Sequence, residues 1–161
     1  MHRTISTNLK AVLNYNVETV FNKFLQLAAK DINRNLTNDD LIEDAYFYSK
    51  RGGKQILLLS ELTKNESITI EWFANDHKFT RKVEFRKKGI EKTKIKFFDS
   101  AKGMEAVWGF MSNYRKATYQ LEVKKTFNIQ ILQIRINLEE DENKKQKFIG
   151  RVKFLGGKKN K

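Results

Sequence analysis

The stretch Ile5-Ser-Thr-Asn-Leu-Lys-Ala-Val-Leu-Asn-Tyr15 is followed almost directly by Val17-Glu-Thr-Val-Phe-Asn-Lys-Phe24, and the hydrophobic period changes between the two. In the first stretch the apolar residues lie on one side of an extended chain, which is typical of a half-buried strand. Over residues 17–34 they recur at three- and four-residue steps, the spacing of an amphipathic helix, and Asn16 is a good N-cap. The sequence therefore predicts a strand, then a helix, then a short second helix over residues 38–44, where an acidic first turn suits the helix dipole.

The following part of the chain contains five strand-like segments separated by short turns. The predicted strands cover residues 46–51, 55–62, 67–73, 78–86 and 91–98. Connections this short can join only antiparallel neighbours, so the segments predict an antiparallel meander. Apolar and polar residues alternate along most of it, which indicates one buried and one solvated face. The run Ile56-Leu-Leu-Leu59 is apolar on both sides and predicts a strand covered on both faces.

The C-terminal third begins with helical spacing from Met104 to Tyr114. Residues 126–138 fit one face of a helix, but they also fit two alternating strand runs joined by a slip of one residue. We favour one long C-terminal helix and a single domain over residues 1–143. Residues 144–161 carry eight basic and no acidic side chains together with several glycines, which oppose a helix. This segment is predicted to be a basic tail, disordered in isolation and dispensable for folding.

Composition excludes several classes of protein. The chain has 161 residues, a formal net charge of +13 and no cysteine, so disulfide scaffolds, thiolate zinc sites and cysteine nucleophiles are excluded. No apolar run approaches the roughly 20 residues that a membrane span requires. The first residues, Met1-His2-Arg3, do not lead into the apolar stretch of a secretory signal, so we expect a cytoplasmic protein.

No group of residues forms a recognisable catalytic or metal-binding motif. His77 sits at a predicted turn, and no residue at a known ligand spacing accompanies it. The acidic residues between positions 39 and 44 lack the pattern of a calcium loop and suit the start of a helix. Gly52-Gly53-Lys54 is too short to cradle a phosphate and is more typical of a hairpin turn. We therefore expect a protein that is not an enzyme and that uses no cofactor or metal.

The positive charge is concentrated in two blocks, residues 77–97 with nine basic and two acidic side chains, and residues 144–161. Such blocks can indicate electrostatic contact with nucleic acid or an anionic surface. A solvated sheet face is the favoured explanation of residues 77–97, and biased codon usage is a further source of the charge. The residues that would carry this contact are Arg81, Lys82, Arg86, Lys87, Lys88, Lys158 and Lys159.

The order of elements resembles that of the DUF3284 family of uncharacterised bacterial proteins, in the START-like superfamily. The resemblance rests on Leu9-Lys-Ala-Val-Leu-Asn-Tyr15, on Val17-Glu-Thr-Val-Phe-Asn-Lys-Phe24, on Leu36-Thr-Asn-Asp-Asp-Leu41 and on the hairpins up to Phe98. It implies an α+β helix-grip fold, in which a curved antiparallel sheet wraps around a long C-terminal helix. It carries over no catalytic residue, because the family has no established site.

Aromatic residues are concentrated where this sheet would meet the last helix. In a helix-grip fold that space is either a filled core or an apolar ligand cavity. The residues predicted to line a cavity are Trp72, Phe85, Phe97, Trp108 and Met111. The first functional hypothesis is a non-enzymatic protein that binds an apolar or amphipathic small molecule between the sheet and the helix. The second is a nucleic-acid or ribosome-associated protein that uses the basic blocks.

Overall fold

The computed structural model describes residues 3–49, 55–74, 77–104 and 110–157. Its elements, in chain order, are β1 Arg3–Leu13, α1 Val17–Ile32, a 3-10 turn Asn38–Asp40, β2 Ala45–Ser49, β3 Gln55–Thr63, β4 Ser67–Ala74, β5 His77–Gly89, β6 Lys92–Met104, α2 Phe110–Leu138 and α3 Glu142–Gly156. The predicted order of strand, helix and five-stranded meander is confirmed.

Helix α1 begins where the sequence predicts. The side chain of Asn16 accepts a hydrogen bond from the backbone N–H of Thr19 at 2.9 Å, which satisfies one of the free N–H groups of the first turn. The apolar residues at three- and four-residue steps form its buried face, with Val20, Phe21 and Phe24 at most 4% exposed. The helix thus packs onto the sheet through the stripe that identifies it in the sequence.

The predicted second helix over residues 38–44 is wrong in length. Only the 3-10 turn Asn38–Asp40 forms, held by the Asp40 carboxylate, which accepts from both the backbone N–H and the hydroxyl of Thr37. Leu41 is already extended, with its side chain buried, and Asp44 has a φ of 61°. A left-handed residue cannot continue a right-handed helix, so the chain turns into β2 instead.

The strands form one antiparallel sheet in the order β1-β6-β5-β4-β3-β2. The meander runs from β2 to β6, and β1 pairs with β6 at the far edge, where Leu13 lies opposite Thr93. Register then decides which residues share a face, because side chains alternate along every strand. Phe79, Arg81, Val83 and Phe85 of β5 share the face that packs against the helices.

The other face of β3 is not covered, so the expectation for Ile56-Leu-Leu-Leu59 is wrong. Leu59 is 1% exposed on the inner face, whereas Ile56 is 59% exposed on the outer one. On the neighbouring strands Tyr46 and Phe73, also on the outer face, are each 71% exposed. Helices α1 and α2 pack on the inner face, and within the described residues no element packs on the outer face.

Residues 126–138 are helical, which decides between the two alternatives that the sequence leaves open. Val123, Phe127, Ile131 and Ile134 of α2 are all at most 6% exposed and are spaced by three or four residues, as one face of a helix requires. The Phe127 ring lies 4.9 Å from that of Phe97 on β6. The sheet therefore wraps around α2, and the fold is the α+β helix-grip fold.

The segment after residue 143 differs from the disordered tail that the sequence predicts. Residues Glu142–Gly156 form α3, because the Asp141 side chain accepts from the backbone N–H groups of Asn143 and Lys144 at 2.9 and 3.2 Å. None of the α3 residues is buried, and Phe154 is 86% exposed. Whether α3 is dispensable for folding stays a prediction; Lys158 and Lys159 lie outside the described residues.

Candidate functional site

A cavity of about 240 Å³ lies between the concave face of the sheet and the two helices α1 and α2. Phe24 and Ala28 of α1 form one apolar wall, while Leu57, Ile70 and Trp72 form the wall on the sheet. Curvature of the sheet leaves this space even though the aromatic residues around it are packed. The predicted alternative of a completely filled core therefore does not apply to the described residues.

Arg81 brings a guanidinium group into this largely apolar space. Its Nε and Nη2 atoms each lie 3.0 Å from Oδ2 of Asp99, its neighbour across the β5–β6 pair. Asp99 is 0% exposed, and the Arg81 side chain is 23% exposed. A buried carboxylate without a partner would be strongly destabilising, so the two charges are held as a pair.

The second oxygen of the same carboxylate accepts a hydrogen bond from the hydroxyl of Tyr119 on α2. Burial, together with this bond to Asp99, raises the pKa of the Tyr119 hydroxyl far above its ordinary value. Tyr119 therefore stays protonated and acts as a donor. Asp99 links β5, β6 and α2 through one buried carboxylate.

Two aromatic rings enclose the guanidinium. The Arg81 Cζ atom lies 5.3 Å from the centroid of Trp72 and 5.2 Å from that of Phe97, within the range of cation–π contacts. Phe79 stacks on Trp72 with the ring planes only 9° apart, which fixes the orientation of that ring. The polar group is thus held in one place by packing as well as by its ion pair.

Helix α2 contributes two polar side chains to the cavity wall, Thr126 and Gln130. The Gln130 Oε1 atom is buried and has no hydrogen-bond partner among the residues that the structure describes. A buried acceptor left unsatisfied costs about 1–3 kcal/mol. The Oε1 atom of Gln130 is therefore a free hydrogen-bond acceptor among the described residues, and a ligand donor in the cavity would satisfy it.

Of the five residues predicted to line the cavity, the structure places one in its wall and two in the core nearby. Trp72 lines the cavity. Phe85 belongs to the core beside Phe21 and Phe24, and Phe97 lies beneath the Arg81 guanidinium. Trp108 lies outside the described residues, as does the side chain of Met111.

Arg81 is on the opposite face from the one that a nucleic-acid contact needs, so its assignment to that surface is wrong. Arg81 is two residues from Phe79 and from Val83 along β5, so its side chain points to the same face as theirs. This alternation in the sequence indicates that Arg81 faces inward. Nothing in the sequence marks Asp99 or Tyr119 as its partners, because they approach only through sheet register and helix packing. Gln130 also carries no distinguishing motif.

The other predicted basic residues of β5 lie on the outer face or at the hairpin. Lys82 Nζ is 3.1 Å from the Glu61 carboxylate, and Arg86 is 3.9 Å from Glu84. Lys87 and Lys88 are exposed. These side chains are paired with surface carboxylates or solvated.

Several cations lie close together on the outer face. The pKa of Lys94 is lowered chiefly by the charge of Lys88, and then by burial and by Lys10, Lys96 and Arg86. We call these five residues the outer cation cluster. A second groove, of about 440 Å³, adjoins it at the β1 edge between α2 and α3.

In the part of the chain that the structure describes, no three His, Cys, Asp or Glu residues come together in a way that could hold a metal ion. In the same part of the chain, no helix is long and apolar enough to cross a membrane.

Comparisons with known proteins support the fold. No family model matches the chain, so membership of DUF3284 stays a prediction, and no curated protein matches it. Among solved structures, a protein of unknown function from Staphylococcus aureus is similar with a TM-score of 0.63 at 10% identity, over 83% of this chain and 92% of that one.

Two further solved structures share the architecture. A conserved protein of unknown function from Enterococcus faecalis has a TM-score of 0.56 at 8% identity, over 94% of this chain and 86% of its own. CalU16 from Micromonospora echinospora has a TM-score of 0.55 at 11% identity, over 91% and 83%. At such low identities the likeness establishes the fold alone.

Proposed function

We propose that this protein is a non-enzymatic binding protein that takes an apolar or amphipathic small molecule into the cavity between the sheet and α2. The observation that carries the proposal is the cavity itself, which combines apolar walls from Phe24, Leu57 and Trp72 with a few polar groups, Arg81 and Gln130 among them. Ligand sites in proteins have this composition.

The volume limits the size of the ligand. A cavity of roughly 150 Å³ holds a benzene molecule, so by proportion the 240 Å³ observed here accommodates about ten non-hydrogen atoms. This corresponds to a single aromatic ring with a polar substituent, or to the end of a longer molecule.

The state of the polar groups supports binding in preference to catalysis. Arg81, Asp99 and Tyr119 are engaged with one another, and the raised pKa of Tyr119 keeps its hydroxyl protonated instead of making it a base. A general base must be able to accept a proton near the working pH. Asp99 and Tyr119 instead hold Arg81 in place as a polar part of the cavity wall.

Native mass spectrometry of the gently purified protein tests the proposal. We expect a bound small molecule, and we expect Ala28→Leu, which places a larger side chain in the cavity, to lose it. Ala117→Leu is the matched control, because Ala117 is exposed on α2. Retention of the same adduct by Ala28→Leu would place the binding elsewhere and contradict the proposal.

A further inference from the structure

We infer that the cavity selects a neutral aromatic molecule whose polar end both accepts and donates a hydrogen bond, as a carboxamide does, and that it disfavours a carboxylate. This inference rests on the proposed function and specifies its ligand class. Four features of the cavity carry it: its donor, its acceptor, its charge balance and its aromatic wall.

The donor is the guanidinium of Arg81. A guanidinium carries five N–H groups, and the pair with Asp99 engages Nε and Nη2. Nη1 takes no part in that pair, and Arg81 lines the cavity. A ligand carbonyl oxygen can therefore accept from Arg81 without breaking the ion pair.

The acceptor is Oε1 of Gln130, which lines the same cavity and has no partner among the described residues. A ligand that offers only acceptors leaves this atom unsatisfied. A ligand with an N–H or O–H group satisfies it and removes an existing cost of the empty protein. The two wall residues together require a head group with both functions.

Charge balance decides against an ionised head group. The fully buried carboxylate of Asp99 already neutralises Arg81, so this pair offers no net charge to a charged ligand of either sign. Among the described residues that line the cavity, Arg81 is the only cation, and it is already paired, so a ligand carboxylate would enter without a matching charge there. Burying a charge without a matching partner is more costly than burying a neutral hydrogen-bonded group.

The apolar end of the ligand meets aromatic side chains in the cavity wall. Trp72 is held parallel to Phe79 at a centroid distance of 5.3 Å, and Phe24 lines the cavity from α1. Aromatic rings pack well against such a surface in offset geometry. A planar ring of the size that the cavity admits fits this wall.

The test uses four probes of nearly equal shape: benzamide, benzoate, benzamidine and α-methylstyrene. Trp108→Phe leaves Trp72 as the only tryptophan, so fluorescence reports from the cavity wall. We expect benzamide to bind about tenfold more tightly than benzoate, benzamidine or α-methylstyrene, the effect of one typical hydrogen bond. Gln130→Leu in this background should weaken benzamide and leave α-methylstyrene unchanged, so that the preference shrinks, and Gln133→Leu should leave the preference unchanged.

The outcomes separate the inference from the proposed function. If α-methylstyrene binds as tightly as benzamide, the head-group inference is overturned while the proposed function stands. If benzoate or benzamidine binds most tightly, the cavity selects a charged head and the inference is again overturned. If none of the four probes changes the Trp72 signal up to its solubility limit, both the inference and the proposed function fail.

Discussion

Arg81 and Lys82 are neighbours in the chain, yet they lie on opposite faces of the sheet and in opposite environments. Arg81 is on the inner face, paired with a carboxylate that is 0% exposed and enclosed by two aromatic rings. Lys82 is on the outer face, 37% exposed and 3.1 Å from the partly exposed carboxylate of Glu61. Both are cations of one basic strand, but only the inner one is held by buried partners.

The comparison shows that a count of charges along the chain does not reveal their roles. On the outer face water screens each pair, and such pairs contribute about 0–1 kcal/mol. On the inner face the Asp99 carboxylate depends on its partner, since it is completely removed from water. The functional distinction is therefore made by strand register, which assigns consecutive residues to the two faces.

The largest change in stability is expected when the ion pair between Arg81 and Asp99 is broken. Arg81→Met should lower the free energy of unfolding by about 3–5 kcal/mol, because it leaves the buried Asp99 carboxylate without a cation. Adding Asp99→Asn removes the orphaned charge, keeps an acceptor for Tyr119, and should recover at least half of the loss. Urea denaturation measures both changes.

The matched control on the outer face is Lys82→Met, which should change the stability by less than about 1 kcal/mol. If Arg81→Met and Lys82→Met have equal effects, the distinction between the two faces is wrong.

Gln130→Leu is expected to change the stability by a smaller amount and to raise it instead of lowering it. Removing a buried acceptor that has no partner among the described residues should stabilise the ligand-free protein by about 1–3 kcal/mol. Gln133→Leu on the same helix provides the comparison and should change the stability little. Thermal unfolding of both variants without ligand measures the difference, and a destabilised Gln130→Leu protein would mean that this amide is satisfied in the empty state.

Glu61 on the outer face should make the stability of the protein depend on pH. Hydrogen bonds from Ser67, Thr69 and Lys82 lower the pKa of Glu61 from 4.5 to about 2. Because the folded-state pKa is lowered, the stabilisation is complete above pH 4.5 and is lost as the pH falls towards 2. Glu61 is about one third exposed, so after allowance for solvent screening its contribution is about 1 kcal/mol.

Glu61→Gln tests this contribution by denaturation at pH 7 and pH 3. The substitution should lower the stability at pH 7 and reduce the difference between the two pH values. An unchanged difference would show that Glu61 is not the group that titrates.

The smallest expected change is in the binding of polyanions by the outer cation cluster. If it contacts a polyanion, Lys94→Gln should lower the salt concentration at which the protein elutes from heparin, because each lost phosphate or sulfate contact reduces the salt dependence by about one unit. Lys116→Gln, at an exposed position on α2, is the control and should elute earlier by a smaller margin. Equal shifts for the two variants, or no RNA binding at low salt, would contradict the nucleic-acid prediction.

Long periodic segments could be predicted from the sequence, and segments set by a single contact could not. Helix α1 and the meander follow from hydrophobic spacing alone. Helix α3 was missed because it buries no apolar face and begins at one capping residue, Asp141. Residues 126–138 stayed ambiguous because Phe127 and Ile131 fit both periods.

The candidate site was predicted only in its apolar part. Trp72 could be placed at the cavity from its alternation in β4 and from the fold that the chain resembles. Asp99 and Tyr119 could not, because they lie 18 and 38 residues from Arg81 and meet it only after the sheet and α2 assemble. Polar residues of this kind have no local pattern that predicts their partners.

A crystal structure of the protein soaked with benzamide tests the central claim most directly. We predict density for the ring against Trp72, with the amide oxygen within hydrogen-bond distance of Arg81 and the amide nitrogen donating to Oε1 of Gln130. An empty cavity beside a ligand bound elsewhere, or a concave face filled by its own side chains, would contradict the claim that this face is a binding site.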